Sequence, residues 1–300
     1  MIGFESIKSK LFDAYQSQKL HHAILLLGKK GVGKASFALE FAQEILGTKI
    51  QANPDLLVVE KEPEKREIGV EKIRKISEFF NKTSAISLNK FIIIDSACEL
   101  NKSCSNALLK TLEEPRPNNF LILVAHNLNR VLPTIRSRCQ IIRVDDLSLA
   151  SFSQVLRQKN LQFSPTDFQF LCEICDNSPA QAIIFGNDLV RIYAFFLRSI
   201  LNKKISDDLF KTIAEKNFPF AVFEKIYEFF INRVLAYFSD FSPNFYFDEE
   251  LVFINLYQKF SIEKLFIIAD QTLELLHKTT PFSLDKKLSL ITIFNKIVYE

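Results

Sequence analysis

The sequence predicts a three-layer α/β domain, a parallel five-stranded sheet with helices on both faces, followed by an all-helical second half. Three observations carry this. Five short apolar runs alternate with helical patterns over residues 1–147. Those runs are nearly continuous rather than alternating, as strands buried on both faces must be. After Asp145-Asp146-Leu147 the strand signal stops, and helical periodicity continues with Gly186 the one remaining glycine.

The first strand, Ala23–Leu27, runs into Gly28-Lys29-Lys30-Gly31-Val32-Gly33-Lys34, and three of the chain's seven glycines fall in this loop. An apolar helix over Lys34–Leu46 follows. Strand, glycine-rich loop and lysine before a helix form a P-loop, whose backbone N–H groups face an anionic phosphate. Further strands are predicted at Leu56–Glu60, Phe91–Asp95, Phe120–Val124 and Gln140–Val144. Helices fall at Val70–Phe80 and Ser103–Glu114, the second closed by Pro115 and carrying a Lys110–Glu114 pair at i,i+4. In the helical half, Ser164-Pro165, Asn177-Ser178-Pro179, Phe218-Pro219 and Ser242-Pro243 mark turns. A division near residues 187–205 separates a small three-helix module from a larger bundle, giving domains at 1–147, 148–200 and 201–300. Phe220, Phe223, Phe229 and Phe230 suit a helix–helix interface, with core packing the expected role for most of them.

Composition narrows the function. A net charge of +3 is too small to be the footprint of a stand-alone nucleic-acid binder. The 30 Phe and 7 Tyr with no Trp match a codon bias toward Phe, Ile and Lys and carry no functional weight. The N-terminus lacks a basic segment followed by an apolar run, and no apolar stretch is expected to reach the roughly 18 residues of a membrane span. Five scattered cysteines fit a reduced cytoplasmic protein. Cys172 and Cys175 form a C-x-x-C pair without the further ligands zinc needs, and read as small apolar residues on one helix face. A small P-loop kinase is disfavoured, because no lid cluster of arginines or phosphoacceptor site stands out.

Two positions in the catalytic half are blank. Ala35 stands where a P-loop needs Ser or Thr for Mg²⁺, and Ser36 points about 100° away around the helix. Asp95 ends a buried strand where a metal-holding carboxylate belongs, but Ser96 follows it.

Asn106-Ala107-Leu108-Leu109-Lys110-Thr111-Leu112-Glu113-Glu114-Pro115 and Thr134-Ile135-Arg136-Ser137-Arg138-Cys139 closely resemble two signature segments of the clamp-loader branch of the AAA+ superfamily. His21-His22-Ala23, Asn53-Pro54-Asp55-Leu56 and Ile68-Gly69-Val70-Glu71-Lys72-Ile73-Arg74 agree with it. The resemblance covers residues 1–147 and is faint beyond 200, where Pro281 to Leu288 is the main match. It implies an AAA+ domain, a helical lid and a helical collar that holds a subunit ring together. Among bacterial DNA polymerase III subunits, the departures fit the delta-prime type rather than the ATP-hydrolysing gamma/tau type. Ser96 stands where active relatives carry Glu, and Gln181, in Asn177-Ser178-Pro179-Ala180-Gln181-Ala182, stands where they carry a sensing arginine.

The resemblance further implies that Arg138 acts in trans, as an arginine finger in a neighbouring subunit's ATP site. Arg136 is left as a structural residue. Gly28, Gly31, Gly33, Lys34 and Asp95 form a degenerate nucleotide site that needs no cofactor and holds ATP or ADP weakly. Zinc is not expected, because Gly47 to Ala52 contains no cysteine where many relatives carry a zinc module. The implied partners are gamma/tau and delta subunits, the sliding clamp and primed DNA, with no membrane. Lys110 and the start of the Asn106 helix are the implied DNA contacts. The polymerase complex is the enzyme, and this chain is not expected to be catalytic alone.

Overall fold

The computed structural model describes residues 1–47, 53–62, 67–241 and 243–300. They form two compact units, 1–159 with 177–180, and 160–176 with 181–300. Of the segment 148–200 read as a lid, residues 148–159 fall in the first unit and most of the rest in the second with residues 201–300, and α8 (Pro179–Leu201) runs through residues 187–201 without a break.

In the first unit, β1 (Ala23–Leu27), β2 (Leu56–Glu60), β3 (Lys90–Asp95), β4 (Asn119–Ala125) and β5 (Gln140–Arg143) form one parallel sheet ordered β2-β3-β4-β1-β5. Every predicted strand is present. The continuous apolar runs have the predicted cause. Leu25, Ile92, Ile94, Leu121 and Leu123 pack on one face with Ile73, Ile76 and Phe80 of α3 (Val70–Asn81) and Leu108 and Leu112 of α4 (Lys102–Glu113). Ile24, Leu26, Phe91, Ile93 and Ile122 pack on the other with Phe37 and Phe41 of α2 (Lys34–Ile45).

One helix of this layer is absent from the sequence reading. Helix α1 (Glu5–Gln16) lays Phe4 against Phe37 with ring centroids 4.6 Å apart and Phe12 edge-on to Phe41 at 5.0 Å. The short α5 (Pro133–Arg136) buries Ile135 completely, and α6 (Leu149–Gln158) buries Phe152 and Leu156.

The second unit contains α7 (Pro165–Ile174), most of α8, α9 (Asp207–Ala214), α10 (Phe220–Phe238), α11 (Glu249–Lys259), α12 (Ile262–Thr279) and α13 (Lys286–Val298). Its core is aromatic: Phe170 stacks on Tyr193, and Phe196 meets Phe223, Tyr227 and Phe230 edge-on. Phe220, Phe223 and Phe230 are buried there, while Phe229 lies partly buried against Phe170 and Tyr193. Gly186 has a packing reason, since a Cβ would sit 2.9 Å from the Phe163 ring.

Two expectations are corrected. Helix α8 is long and apolar enough to cross a membrane, with a mean hydropathy of 1.2 over its best window. The sequence reading missed this because Asp188, Arg191 and Arg198 interrupt the run without lowering its mean enough. Its face of Leu189, Ile192, Tyr193, Phe196, Leu197 and Ile200 is buried in protein, as in a core helix. The Lys110–Glu114 pair is not among the ion pairs of the described residues; the neighbouring Glu113 pairs with Arg138 instead.

Candidate functional site

The carboxyl ends of β1, β3 and β4 converge on one edge of the sheet, where ligands of parallel α/β sheets bind. Gly28 follows β1 and donates its N–H to Ala125 O at 3.2 Å. Gly31 and Gly33 take positive φ of 84° and 103°, which L side chains rarely adopt. Gly33 thereby turns the chain into α2, whose free N–H groups point back at the loop.

Lys34 is buried, and its ammonium donates to Gly28 O at 2.7 Å and Lys29 O at 2.5 Å. The loop is closed on its own lysine. Residues 177–180 add a second closure within the same unit: Ser178 Oγ donates to Lys30 O at 2.8 Å, and Ala180 N to Gly31 O at 3.2 Å. A Cβ on Gly31 would lie 2.2 Å from Ser178 Oγ, so only glycine allows this approach.

Asp95 and Lys34 are within electrostatic reach of each other. Burial and the neighbouring Glu60 carboxylate push the Asp95 carboxyl upward, with Lys34 opposing them. Ser96 accepts a bond from Cys98 N at 3.1 Å and caps a helical turn. That is a structural use of the position where hydrolysing relatives carry Glu. Cys98 Sγ donates to Asn127 O at 3.3 Å, tying the loops after β3 and β4 together.

His126, the first residue after β4, escaped the sequence reading. Burial lowers its pKa, and the positive charges of Lys30 and Lys34 lower it further. The available signal was its place, next after an apolar strand that pairs with β1.

Burial pulls Lys34 down to about 8, against the opposing pull of Asp95. Between pH about 8 and its ordinary value of 10.5, the unfolded chain therefore holds this proton more tightly than the folded one. Stability contributed by this group is expected to rise with pH across that window, and Lys34→Met to remove the rise. Thermal melts of both chains near pH 8 and near pH 10.5 check it; equal slopes would refute the assignment.

Arg138 lies elsewhere. Gln140 pairs with Ile24 at the start of β1, whereas Leu27, at its end, pairs with Arg143. Arg138, two residues before β5, thus lies off the opposite end of the sheet from the loop, with about 10 Å of strand between Gln140 and Arg143 at 3.3 Å per residue. Its guanidinium meets Glu113 Oε1 at 2.7 Å, Thr134 O at 3.0 Å and Ser137 Oγ at 3.2 Å. Ile135 and Cys139 flank it; both pack on the core, and burial alone pushes the Cys139 thiol to about 12, out of nucleophilic range.

Gln181 is exposed on α8 and belongs to the second unit, apart from the loop's own unit. Cys172 on α7 and Cys175 at its C-cap are buried, their thiols raised to about 11 by burial. Residues 48–52, within the segment read for zinc, lie outside the described residues.

The fold and loop define a class: a P-loop α/β protein with a helical second half. Over 98% of both chains it superposes on a Thermotoga maritima DNA polymerase III gamma subunit-related protein, with a TM-score of 0.54 and 18% identity. At that identity the likeness concerns the fold alone. Residues 4–148 match the family described as DNA polymerase III, delta subunit.

The chain is 33% identical to DNA polymerase III subunit delta' of Pseudomonas aeruginosa over 135 residues, 39% of this chain and 41% of that protein. It is 29% identical to the Bacillus subtilis delta' over 194 residues, 59% and 58% respectively. Subunit tau/gamma of Haemophilus influenzae matches at 30% over 231 residues, 70% of this chain and 33% of that protein. The matches span about half the length of the delta' relatives.

Proposed function

We propose that this chain is a delta-prime-type subunit of a bacterial DNA polymerase III clamp loader and that it serves a neighbour's ATP site without hydrolysing ATP itself. The observation that carries the reading is the separation of Arg138 from the chain's own loop. A guanidinium at the amino edge of the sheet is far from a phosphate at the carboxyl edge, which supports a use on another chain. There it would stabilise charge developing on the γ-phosphate.

Three features of the chain's own loop support the lack of hydrolysis. Ala35 offers no hydroxyl to Mg²⁺, Ser96 is spent on a turn, and Lys34 is held by loop carbonyls. The loop N–H groups and Lys34 still suit a phosphate, so weak ATP or ADP binding belongs to this proposal, with Lys34 swinging off Gly28 O and Lys29 O to meet it. Gamma/tau and delta subunits would be the partners in a ring acting on the sliding clamp and primed DNA, in the cytoplasmic, nucleoid-associated replication complex.

Co-expression with gamma/tau and delta subunits tests the reading. The expected result is stoichiometric copurification and ATP hydrolysis by the complex, with none by the isolated chain. Failure to copurify would overturn it. The second reading, an ATP-hydrolysing gamma/tau-like subunit, is favoured by Asp95 standing within electrostatic reach of Lys34. Steady hydrolysis by the isolated chain would establish it.

A further inference from the structure

We infer that Glu113 is a positioning residue for Arg138, holding the guanidinium so that a fixed pair of its N–H groups faces out toward an incoming phosphate. The inference rests on the in-trans role proposed above for Arg138. A guanidinium has five N–H donors in a rigid plane. Among the described residues, Nη1 donates to Thr134 O at 3.0 Å and Ser137 Oγ at 3.2 Å, which uses both of its hydrogens. Nη2 stands 2.7 Å from Glu113 Oε1 in an ion pair. Nε–H and Nη2 lie on the side of the fork that Thr134 and Ser137 leave open, and two such donors match two oxygens of a phosphate.

Both supports of this arrangement are anchored. Thr134 and Ser137 belong to the turn around Ile135, which is completely buried under the sheet. Glu113 is the last residue of α4, one position after the buried Leu112. The negative end of the α4 dipole and the Glu113 carboxylate therefore attract the guanidinium from the same side. Arg138 and Glu113 keep 36% and 48% of their side chains exposed. In that setting an ion pair contributes little to stability. Its consequence is direction: without Glu113, Nη2 loses the ion pair it has among the described residues, and the fork is held from the Nη1 side alone.

The test uses the assembled complex with Arg138→Ala, Glu113→Ala, Glu113→Gln and the double variant Glu113→Ala/Arg138→Ala, reading kcat and KM of DNA-stimulated ATP hydrolysis. Glu113→Ala is expected to lower kcat about fivefold, the upper range for an exposed pair, with KM unchanged. Glu113→Gln keeps an acceptor oxygen at the same reach and is expected to recover kcat. In the Arg138→Ala background, Glu113→Ala is expected to add nothing. An unchanged kcat in Glu113→Ala, alongside a large loss in Arg138→Ala, would overturn the positioning role and leave the finger reading intact. A Glu113→Ala loss that persists in the Arg138→Ala background, or one that Gln does not recover, would overturn it equally. No loss in Arg138→Ala would instead overturn the finger reading itself. Circular dichroism of each variant chain guards against misfolding, and Glu113→Gln, which preserves side-chain volume, keeps the test valid if the alanine variant unfolds.

Discussion

Arg138→Ala is expected to lower the DNA-stimulated ATPase of the assembled complex about 10³-fold or more, the size of an arginine-finger contribution in other NTPases, while leaving the melting temperature of the isolated chain nearly unchanged. The two halves of this result have separate causes. The folding contribution is small because Arg138 and Glu113 both remain exposed to water, and such a pair is worth about 0–1 kcal/mol. The catalytic contribution is large because a neighbour's phosphate site excludes water, and charge developing there is stabilised far more strongly than at an open surface. Arg138→Lys should recover little of the rate, since an ammonium cannot hold Thr134 O, Ser137 Oγ and Glu113 and still present two coplanar donors. Steady-state hydrolysis with primed DNA, set beside thermal melts of the free chain, checks both halves. A rate within tenfold of the unsubstituted complex would remove Arg138 from the role.

The sheet was legible because its physics is local. A strand buried on both faces must be apolar along its length, and Ala23–Leu27 and Phe91–Ile94 are. The first helix was as legible in principle: Phe4, Ile7, Leu11 and Phe12 follow helical spacing, and all four join one core. What the sequence concealed depends on distant partners. Ser178 closes on Lys30 across 148 positions, and nothing in Asn177-Ser178-Pro179 announces a P-loop carbonyl as its acceptor. Glu113 sits in a helix whose local pattern offers Glu114 to Lys110; its actual partner comes from a turn after the next strand. His126 was hidden because a lone histidine after an apolar run is unremarkable until β4 is seen pairing with β1. The same holds for Arg138. The motif made it conspicuous, but only the register of β5 on β1 places it at the far edge from the loop.

The largest stability effect is expected in the second unit, from Arg233→Met. Arg233 on α10 and Glu249 at the start of α11 form a buried two-pronged pair, Nε to Oε1 at 2.9 Å and Nη2 to Oε2 at 2.8 Å. Arg233 also donates to Glu173 Oε1 at 2.5 Å and to Asn244 O. Glu249 also accepts from Tyr246 N at 2.8 Å and from the Tyr193 hydroxyl. Glu249 is fully buried, so deleting the guanidinium strands a carboxylate that water cannot reach, whereas Glu173 is half-exposed and can be solvated. Breaking a buried pair in this way costs about 3–5 kcal/mol, and urea unfolding followed by circular dichroism should show the midpoint falling accordingly. Arg233→Met/Glu249→Leu separates the charge penalty from the rest. Removing both charges is expected to recover part of the loss, because the stranded carboxylate is gone. Recovery should stay incomplete, since Tyr193 and Tyr246 N then lose the acceptor they shared, at about 1–3 kcal/mol for each buried group left unpaired. If the double variant proved less stable than Arg233→Met alone, the cost would lie in those hydrogen bonds and not in the buried charge.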